Sequence, residues 1–526
     1  MQEKANEMIK IFIDKKPVDA EEGTTVLKAA ERAGIHIPHL CYHPAFPPEG
    51  SCRMCLVEIE GFPKLELACS TVVKEEMKIS TKSERVVEAR KAVLEFLLAE
   101  HPLDCPICDK AGDCKLQDYY DEYGLFESQF KEAKEKREKK LKIGKSLILD
   151  QERCILCTRC VRFLKEVTKT QDLGVFHRGV HSSVNIYDGA AVVNNYTGNL
   201  AEICPVGAIT DEDFRFKTRS WFLKEGESIC PLCSRGCNIL IEYHPGFPRF
   251  EVPKRVFRIK ARENPEVNGF WACDRGRYGY SYLDEGRADQ IILNKIEGEN
   301  VLTWENISEF LGEKIKSLSS AKKTSGIALI LHTWLSNEEL FLLHEIFIND
   351  LKVEKIFFAD LPEGEADGFL LTSEPSPNRR GAQEIGFDIK TVDLGALADG
   401  TDFLLAFGPF LSGLFSSKDL KGALDKIKTK VLFSSNSNEL NSLFDVVIPV
   451  ALIAEKEGSL TNVEGIVQGF QPALEPPGES LPEWKVLSDL GKELGMDSKF
   501  YSEFTSPEAI LSEMGKKIPF FKKKND

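Results

Sequence analysis

All fifteen cysteines of this 526-residue chain lie within its first 273 residues, and they fall into four groups with none left over. Cys41, Cys52, Cys55 and Cys69 form the first group. Cys105, Cys108 and Cys114 form the second, with His101 just upstream. Cys154, Cys157, Cys160 and Cys204 form the third, and Cys230, Cys233, Cys237 and Cys273 the fourth. Fifteen thiols and one imidazole make sixteen donors, or four sets of four. An iron–sulfur cluster takes four protein ligands. The pattern therefore implies a scaffold for four clusters and a conduit for electrons.

The rest of the composition narrows the setting. A length of 526 residues predicts several domains with real cores. A net charge of −15 argues against nucleic acid or anionic lipid as the main partner. No window approaches the roughly eighteen uninterrupted apolar residues of a membrane-spanning helix. The opening MQEKANEMIKIF has neither the basic nor the apolar region of a secretory signal. A cytoplasmic location is expected, and there disulfides are rare. An odd number of clustered thiols in such a compartment points to metal or redox chemistry.

Each set has its own spacing. The first is C-x10-C-x2-C-x13-C, with a stiff first gap, YHPAFPPEGS, that holds three prolines and a glycine. The Cys52/Cys55 pair can grip one iron of a [2Fe–2S] cluster while the outer cysteines complete the set. A zinc ribbon is the alternative, although it favours two tight pairs. The second set, H-x3-C-x2-C-x5-C, leaves one position for His101, with Asp104, Asp109, Asp113 or water as substitutes. A neutral imidazole in place of a thiolate would raise the cluster potential. The third set opens on CILCTRC, three thiols pitched for three corners of a [4Fe–4S] cubane, and 43 residues separate Cys160 from Cys204. The x3-C-P ending of a two-cluster ferredoxin does not follow Cys160, so one cubane is indicated. The fourth set, C-x2-C-x3-C-x35-C, suits a third cubane, with zinc as the competing reading. Arg53, Arg159, Arg162, Arg235 and Arg275 stand beside these donors. Each reads equally as a tuner of potential or as an ordinary ion-pair partner. His36, His39 and His43 read as loop packing or surface residues.

Hydrophobic periodicity supplies the architecture. Residues 8–14 and 55–60 alternate like half-buried strands, and residues 24–35 and 84–100 read as helices. Strands around a helix, with cysteines in the following loop, predict a small ferredoxin-type β-grasp domain. Residues 131–145 are highly charged and read as a solvated helix or linker. Beyond Cys273, apolar runs at 327–332, 355–360, 402–408, 430–435 and 445–450 alternate with helical stretches such as 337–351 and 420–428. That alternation predicts βα units around a mostly parallel sheet. The tail KKIPFFKKKND reads as frayed. The expected fold class is thus α+β ferredoxin and iron–sulfur domains followed by an α/β domain. No G-x-G-x-x-G or Walker A sequence marks a nucleotide or flavin site, so electrons enter from and leave to other subunits.

The order of the donor sets resembles that of the NADH-quinone oxidoreductase G-subunit family, the large iron–sulfur subunits of the complex I peripheral arm. The resemblance extends over essentially the whole chain. The fourth set is similar to the N-terminal cluster of molybdopterin oxidoreductases. EKEGSLTNVEGIVQ (455–468) resembles a signature of that superfamily, with Ser459 and Ile466 as departures, and NRRGAQEIG (378–386) resembles one of its glycine-bearing turns. The resemblance implies a [2Fe–2S] β-grasp domain at 8–85, a [4Fe–4S] domain with one histidine and three cysteine ligands at 86–126 and a second [4Fe–4S] domain at 127–222. It further implies a molybdopterin-oxidoreductase-type cluster domain at 223–290, a shortened α/β domain of that type at 291–515 and a basic tail at 516–526.

In function the resemblance implies an electron-transfer subunit that relays electrons from an NADH/flavin module toward quinone. No catalytic residue is expected in this chain, and no molybdopterin, flavin or nucleotide. Its partners would be the flavin-bearing subunit and the iron–sulfur subunit leading to quinone, on the cytoplasmic side of the inner membrane. The expected relay runs from the [2Fe–2S] centre to the His101 cubane and then to the Cys154–Cys204 cubane, with the fourth cluster off the path. A formate dehydrogenase or hydrogenase electron-transfer component is the alternative. Either active centre would need cysteines after Cys273, and residues 274–526 contain none.

Overall fold

Two units divide the chain, Met1–Phe222 and Leu223–Asp526. The computed structural model describes residues 8–124, 127–187, 190–246, 255–294, 302–320, 324–408, 414–496 and 498–522.

The first unit begins with a mixed sheet. Strands β1 (Met8–Ile13), β2 (Lys16–Glu21), β3 (Leu56–Ile59), β4 (Glu66–Leu67) and β5 (Lys78–Ser80) lie in the order β2-β1-β5-β3-β4, with β1 and β5 parallel. Asp14 and Lys15 join β1 to β2 with φ of 48° and 70°. Two left-handed residues make the turn whose twist matches paired antiparallel strands. Helix α1 (Val26–Arg32) starts where the Thr25 hydroxyl accepts from Lys28 N, and its buried face of Val26, Leu27, Ala29 and Ala30 packs on the sheet. Helix α2 (Glu84–Glu100) is capped by Ser83 and ends at His101.

The charged stretch after α3 (Lys115–Tyr123) contains no helix among its described residues; its first strand is β6 (Leu141–Lys142). Lys134 Nζ donates to the carbonyls of Leu98, Ala99 and His101 at 2.6, 2.8 and 2.8 Å. A segment that reads as solvated thus caps the C-terminus of α2, where unpaired carbonyls favour a cation. Strand β7 (Leu147–Leu149) pairs with β6 and with β10 (Ile209–Asp211), and β8 (Leu173–Phe176) pairs with β9 (Ser183–Ile186). Between them lie two five-residue helices, α4 (Arg159–Phe163) and α5 (Asn199–Ile203).

The second unit opens with an antiparallel sheet of β11 (Lys224–Ile229), β12 (Asn238–Tyr243) and β13 (Val256–Ala261), followed by α6 (Asp274–Tyr278). Its main sheet has the order β14-β19-β18-β17-β15-β16, from β14 (Ile292–Leu293), β15 (Ile327–Leu331), β16 (Lys355–Phe358), β17 (Phe403–Phe407), β18 (Thr429–Ser434) and β19 (Val446–Pro449). Every pairing except β14–β19 is parallel. The five apolar runs form β15 to β19, and their unbroken apolar character follows from burial on both faces.

Two details depart from expectation. The stretch 337–351 is an α-helix only over Asn337–Leu343 and continues as a π-helical turn over His344–Asp350. The basic tail does not begin at residue 516. Lys516 and Lys517 end a helix, Pro507–Lys517, and Phe521 is buried in the main core. The residues from 523 onward lie outside the described part.

Candidate iron–sulfur sites

The first set sits on the loop between α1 and β3 and just after β4, and all four of its cysteines are buried. The fold pairs them across the loop. Cys41 and Cys52 share a hydrogen bond, as do Cys55 and Cys69. That bond pulls the Cys41 thiol down, while the same contact and burial push Cys52 up. The thiols thus pair in space as Cys41 with Cys52 and Cys55 with Cys69, whereas the sequence spacing groups Cys52 with Cys55. Leu40 N also donates to Cys52 Sγ at 3.4 Å.

In the second set, Cys105 opens a 3₁₀ turn, Cys105–Ile107; Cys108 follows it, and Cys114 stands at the N-terminus of α3. His101 Nδ1 is buried with no hydrogen-bond partner. Burial lowers the imidazole to about 4, so it is neutral with a lone pair available. The aspartates that could replace it are occupied. Asp104 receives Arg153 through two bonds of 3.2 and 2.6 Å. Asp109 accepts from Phe216 N at 2.7 Å, and Asp113 pairs with Lys110 at 3.4 Å.

The third set is held by the loop into α4 and the end of α5. Leu156 and Thr158 flank Cys157 with φ of 55° and 58°. Left-handed residues turn successive backbone N–H groups toward one concave side, a geometry that favours anionic sulfur. Leu156 N donates to Cys154 Sγ at 3.5 Å. Cys154, Cys157, Cys160 and Cys204 are electrostatic neighbours, and burial pushes Cys154 up to about 11 and Cys157 to about 12.

The fourth set joins the end of β11, the loop into β12 and the start of α6. Cys230, Cys233, Cys237 and Cys273 are mutual neighbours, all buried. Gly276 N donates to Cys273 Sγ at 3.4 Å, and a Cβ on Gly276 would stand 3.0 Å from Cys230 Sγ. The loop is stitched to its own unit: Ser234 N bonds Glu374 O at 2.9 Å, and Val463 N bonds Ser234 O at 2.8 Å.

Burial holds most of these thiols protonated, so metal binding has to release protons. No three His, Cys, Asp or Glu side chains among the described residues converge on a point that suits a single metal ion. A polynuclear cluster, whose ligands reach different irons, asks for wider gathering. The buried thiols, the inward N–H groups and the orphaned His101 nitrogen fit iron–sulfur clusters.

Contacts also link the sets within the first unit. Arg153, next to Cys154, holds Asp104, next to Cys105. A Cβ on Gly207 would lie 2.3 Å from Cys108 Sγ, so only glycine lets this backbone pass. Arg159 donates to Ile203 O at 3.2 Å and to Tyr42 O. Arg162 donates to Cys157 O at 3.4 Å, to Pro47 O at 3.1 Å and to Cys41 O. The third set therefore contacts both of the others. Toward the second set, the first makes a looser link through His39 N and Tyr119 Oη, 3.0 Å apart. Sequence reasoning missed Gly207, Lys134 and Tyr119, and it left Arg159 and Arg162 between tuning a potential and ordinary ion pairing.

Comparison with known proteins identifies the relatives. Residues 6–84 match the 2Fe-2S iron-sulfur cluster binding domain, and residues 90–129 the NADH-ubiquinone oxidoreductase-G iron-sulfur binding region. Residues 144–210 match the ferredoxin-like domain of NADH-quinone oxidoreductase subunit 3. Residues 223–285 match the molybdopterin oxidoreductase Fe4S4 domain, and residues 419–493 molybdopterin oxidoreductase. One of the NADH-quinone oxidoreductase G subunits of Rhizobium meliloti, the one numbered 2, is 36% identical over 66% of this chain and 40% of its own length. The corresponding G subunit of Rickettsia bellii is 38% identical over 64% of this chain and 47% of its own. The chain is homologous to the G subunits of NADH-quinone oxidoreductase. The NADH-ubiquinone oxidoreductase 75 kDa subunit of Reclinomonas americana is similar at 37% identity over 66% of this chain and 49% of its own length. The chain thus spans less than half the length of these relatives, and the pairwise likeness covers about two thirds of the chain rather than all of it. A chain of an NAD+-reducing [NiFe]-hydrogenase, crystallised in the H2-reduced state, is 34% identical over 40% of this chain and 91% of its own, with a TM-score of 0.37.

Proposed function

We propose that this chain is an iron–sulfur electron-transfer subunit of an NADH:quinone oxidoreductase. Cys41, Cys52, Cys55 and Cys69 would hold a [2Fe–2S] cluster, with Cys41/Cys52 on one iron and Cys55/Cys69 on the other. His101, Cys105, Cys108 and Cys114 would hold a [4Fe–4S] cluster. Cys154, Cys157, Cys160 and Cys204 would hold a second, and Cys230, Cys233, Cys237 and Cys273 a third. When bound, these groups supply one-electron redox steps that carry electrons from a flavin-bearing NADH module toward quinone.

The observation that carries this reading is the second set: three thiols and a buried imidazole nitrogen without a partner, with every nearby aspartate engaged. The protein's own work is spacing, dryness and orientation. Arg153 and Gly207 hold the second set against the third, and Arg159 and Arg162 hold the third against the first. This revises the expected relay. The working order is first set, third set, second set, because the third set touches both neighbours.

The domain bounds are 8–85 for the β-grasp domain, 86–126, 127–222 and 223–290 for the three [4Fe–4S] domains, and 291 to at least 522, rather than 515, for the shortened molybdopterin-oxidoreductase-like domain. That last domain docks neighbours and holds no pterin. A cavity of about 250 Å³ lies at the carboxyl ends of β15, β17, β18 and β19. No helix among the described residues is long and apolar enough to cross a membrane. Attachment to the cytoplasmic face of the inner membrane would come through partner subunits. Iron and zinc analysis combined with low-temperature EPR tests the assignment. One [2Fe–2S] and three [4Fe–4S] centres are expected, whereas stoichiometric zinc with little iron would overturn it.

A further inference from the structure

Among the five arginines that stand beside cysteines, the fold separates two from the rest. Arg53 and Arg275 are exposed, and Arg235 is ion-paired with Glu464. Arg159 and Arg162 are 9% and 7% exposed, and neither makes an ion pair among the described residues. A buried guanidinium without a counter-charge is costly, because the low-dielectric interior penalises an unpaired ion.

The two differ in what surrounds them. Arg162 is a clasp: its bonds run to the carbonyls of Cys41, Pro47 and Cys157 and to the Thr158 hydroxyl, and it lies 5.2 Å from the centroid of the Phe46 ring. Arg159 has fewer bonds. Two of its nitrogens donate to Tyr42 O and Ile203 O, and its Nε has no partner. Tyr42 follows Cys41 and Ile203 precedes Cys204, so these two bonds hold the guanidinium between two different sets.

We infer that Arg159 is a positioning and tuning residue shared by the first and third sets, its fixed positive charge balanced by the negative clusters on either side. This rests on the cluster assignment above. A fixed cation favours the more reduced, more negative state of each neighbour, so one side chain raises both potentials together. The two adjacent carriers are thereby kept poised against each other.

The test is EPR-monitored redox titration of the intact complex carrying Arg159→Met, Arg159→Lys or Arg90→Met. Arg90 is another buried arginine, bonded to Tyr123 Oη and to the carbonyl of Leu56, the residue after Cys55 of the first set, with no bond to the third set. In Arg159→Met the midpoint potentials assigned to the first and third sets should both fall, while those of the second and fourth stay nearly unchanged. Arg159→Lys should recover most of the fall in both. Arg90→Met should lower the yield of complex without moving the potential of the third set. Unmoved potentials in Arg159→Met, a fall in one set only, or an equal fall in Arg159→Lys would overturn the inference. If Arg159→Met does not assemble, Arg159→Lys decides alone: retained potentials support the shared charge, and lowered ones refute it. Missing cluster signals in the unaltered protein would instead count against the cluster assignment itself.

Discussion

The first unit and the second solve the problem of stability in different ways. Residues 8–222 bury apolar side chains around α1 and the first sheet and again at Leu147, Phe163, Leu164 and Leu200, and arginine bridges join their cysteine loops. The second unit buries the five-strand parallel sheet between two large apolar layers and carries one cysteine set at its edge. A region whose loops are drawn together around donors gains folding energy from the metal, whereas a region built on buried leucine, isoleucine and phenylalanine gains it from water exclusion. The contrast teaches that cofactor loss and core mutation should damage different halves of one chain.

Iron removal gives the largest expected effect. Chelation under reducing conditions should collapse amide protection across residues 101–210 and around 225–280, and leave β15 to β19 protected. Uniform loss over both units in hydrogen exchange would break the comparison. Next, Cys157→Ala should stop NADH-to-quinone electron flow even in assembled complex. Cys233→Ala should loosen the segment near 225–280 and lower activity only as far as assembly falls. Turnover normalised to intact complex separates the two, and a dead but fully assembled Cys233→Ala complex would put the fourth set on the path.

A smaller effect is expected at His101. His101→Cys should keep the second cluster and lower its potential, because a thiolate adds negative charge. His101→Ala should leave one iron open to water or loss. Unchanged EPR spectra and potentials in both variants would remove His101 from the ligand set. In the second unit Leu405→Ala should cost roughly 2–5 kcal/mol by leaving a cavity, readable as a shift in the unfolding of that unit alone.

The pH response is subtler. Burial raises Glu338, whose carboxylate accepts from Ser459 N and Oγ, from 4.5 to about 7. The folded unit therefore binds this proton more tightly than the unfolded chain. Its stability should be highest below the unfolded pKa and fall as pH rises toward 7, by about 3 kcal/mol at most. Glu338→Gln should flatten that slope in urea titrations, and an unaltered slope would show that the carboxyl is not responsible.

Much of this was legible in the residues, for identifiable reasons. Helix Glu84–Glu100 could be placed to the residue because Ser83 caps it and Pro102 follows its end. The β-strands of the parallel sheet announce themselves as unbroken apolar runs. The four donor groups follow from spacing alone. What spacing cannot express is pairing in space. Cys52 and Cys55 are neighbours in sequence, yet each bonds a distant partner. Lys134 sits in a run of charges that looks solvated, but its amine meets the end of α2. The proposed relay order departs from the order along the chain, because Gly207 and Arg162 bring distant stretches together.

The contact between Gly207 and Cys108 also bears on how the protein is made. A ribosome releases the chain from the N-terminus at roughly 5–20 residues per second, so Cys105, Cys108 and Cys114 emerge well before Gly207 and Cys204. Until residue 207 arrives, the second set lacks the wall that closes over Cys108 Sγ, and the third lacks its last thiol. Both sites are finished by the same short stretch, CPVG at 204–207. Completion of these two sites is thereby tied to one short stretch of the chain, and a nascent chain stalled before that point would present exposed thiols rather than two closed sites.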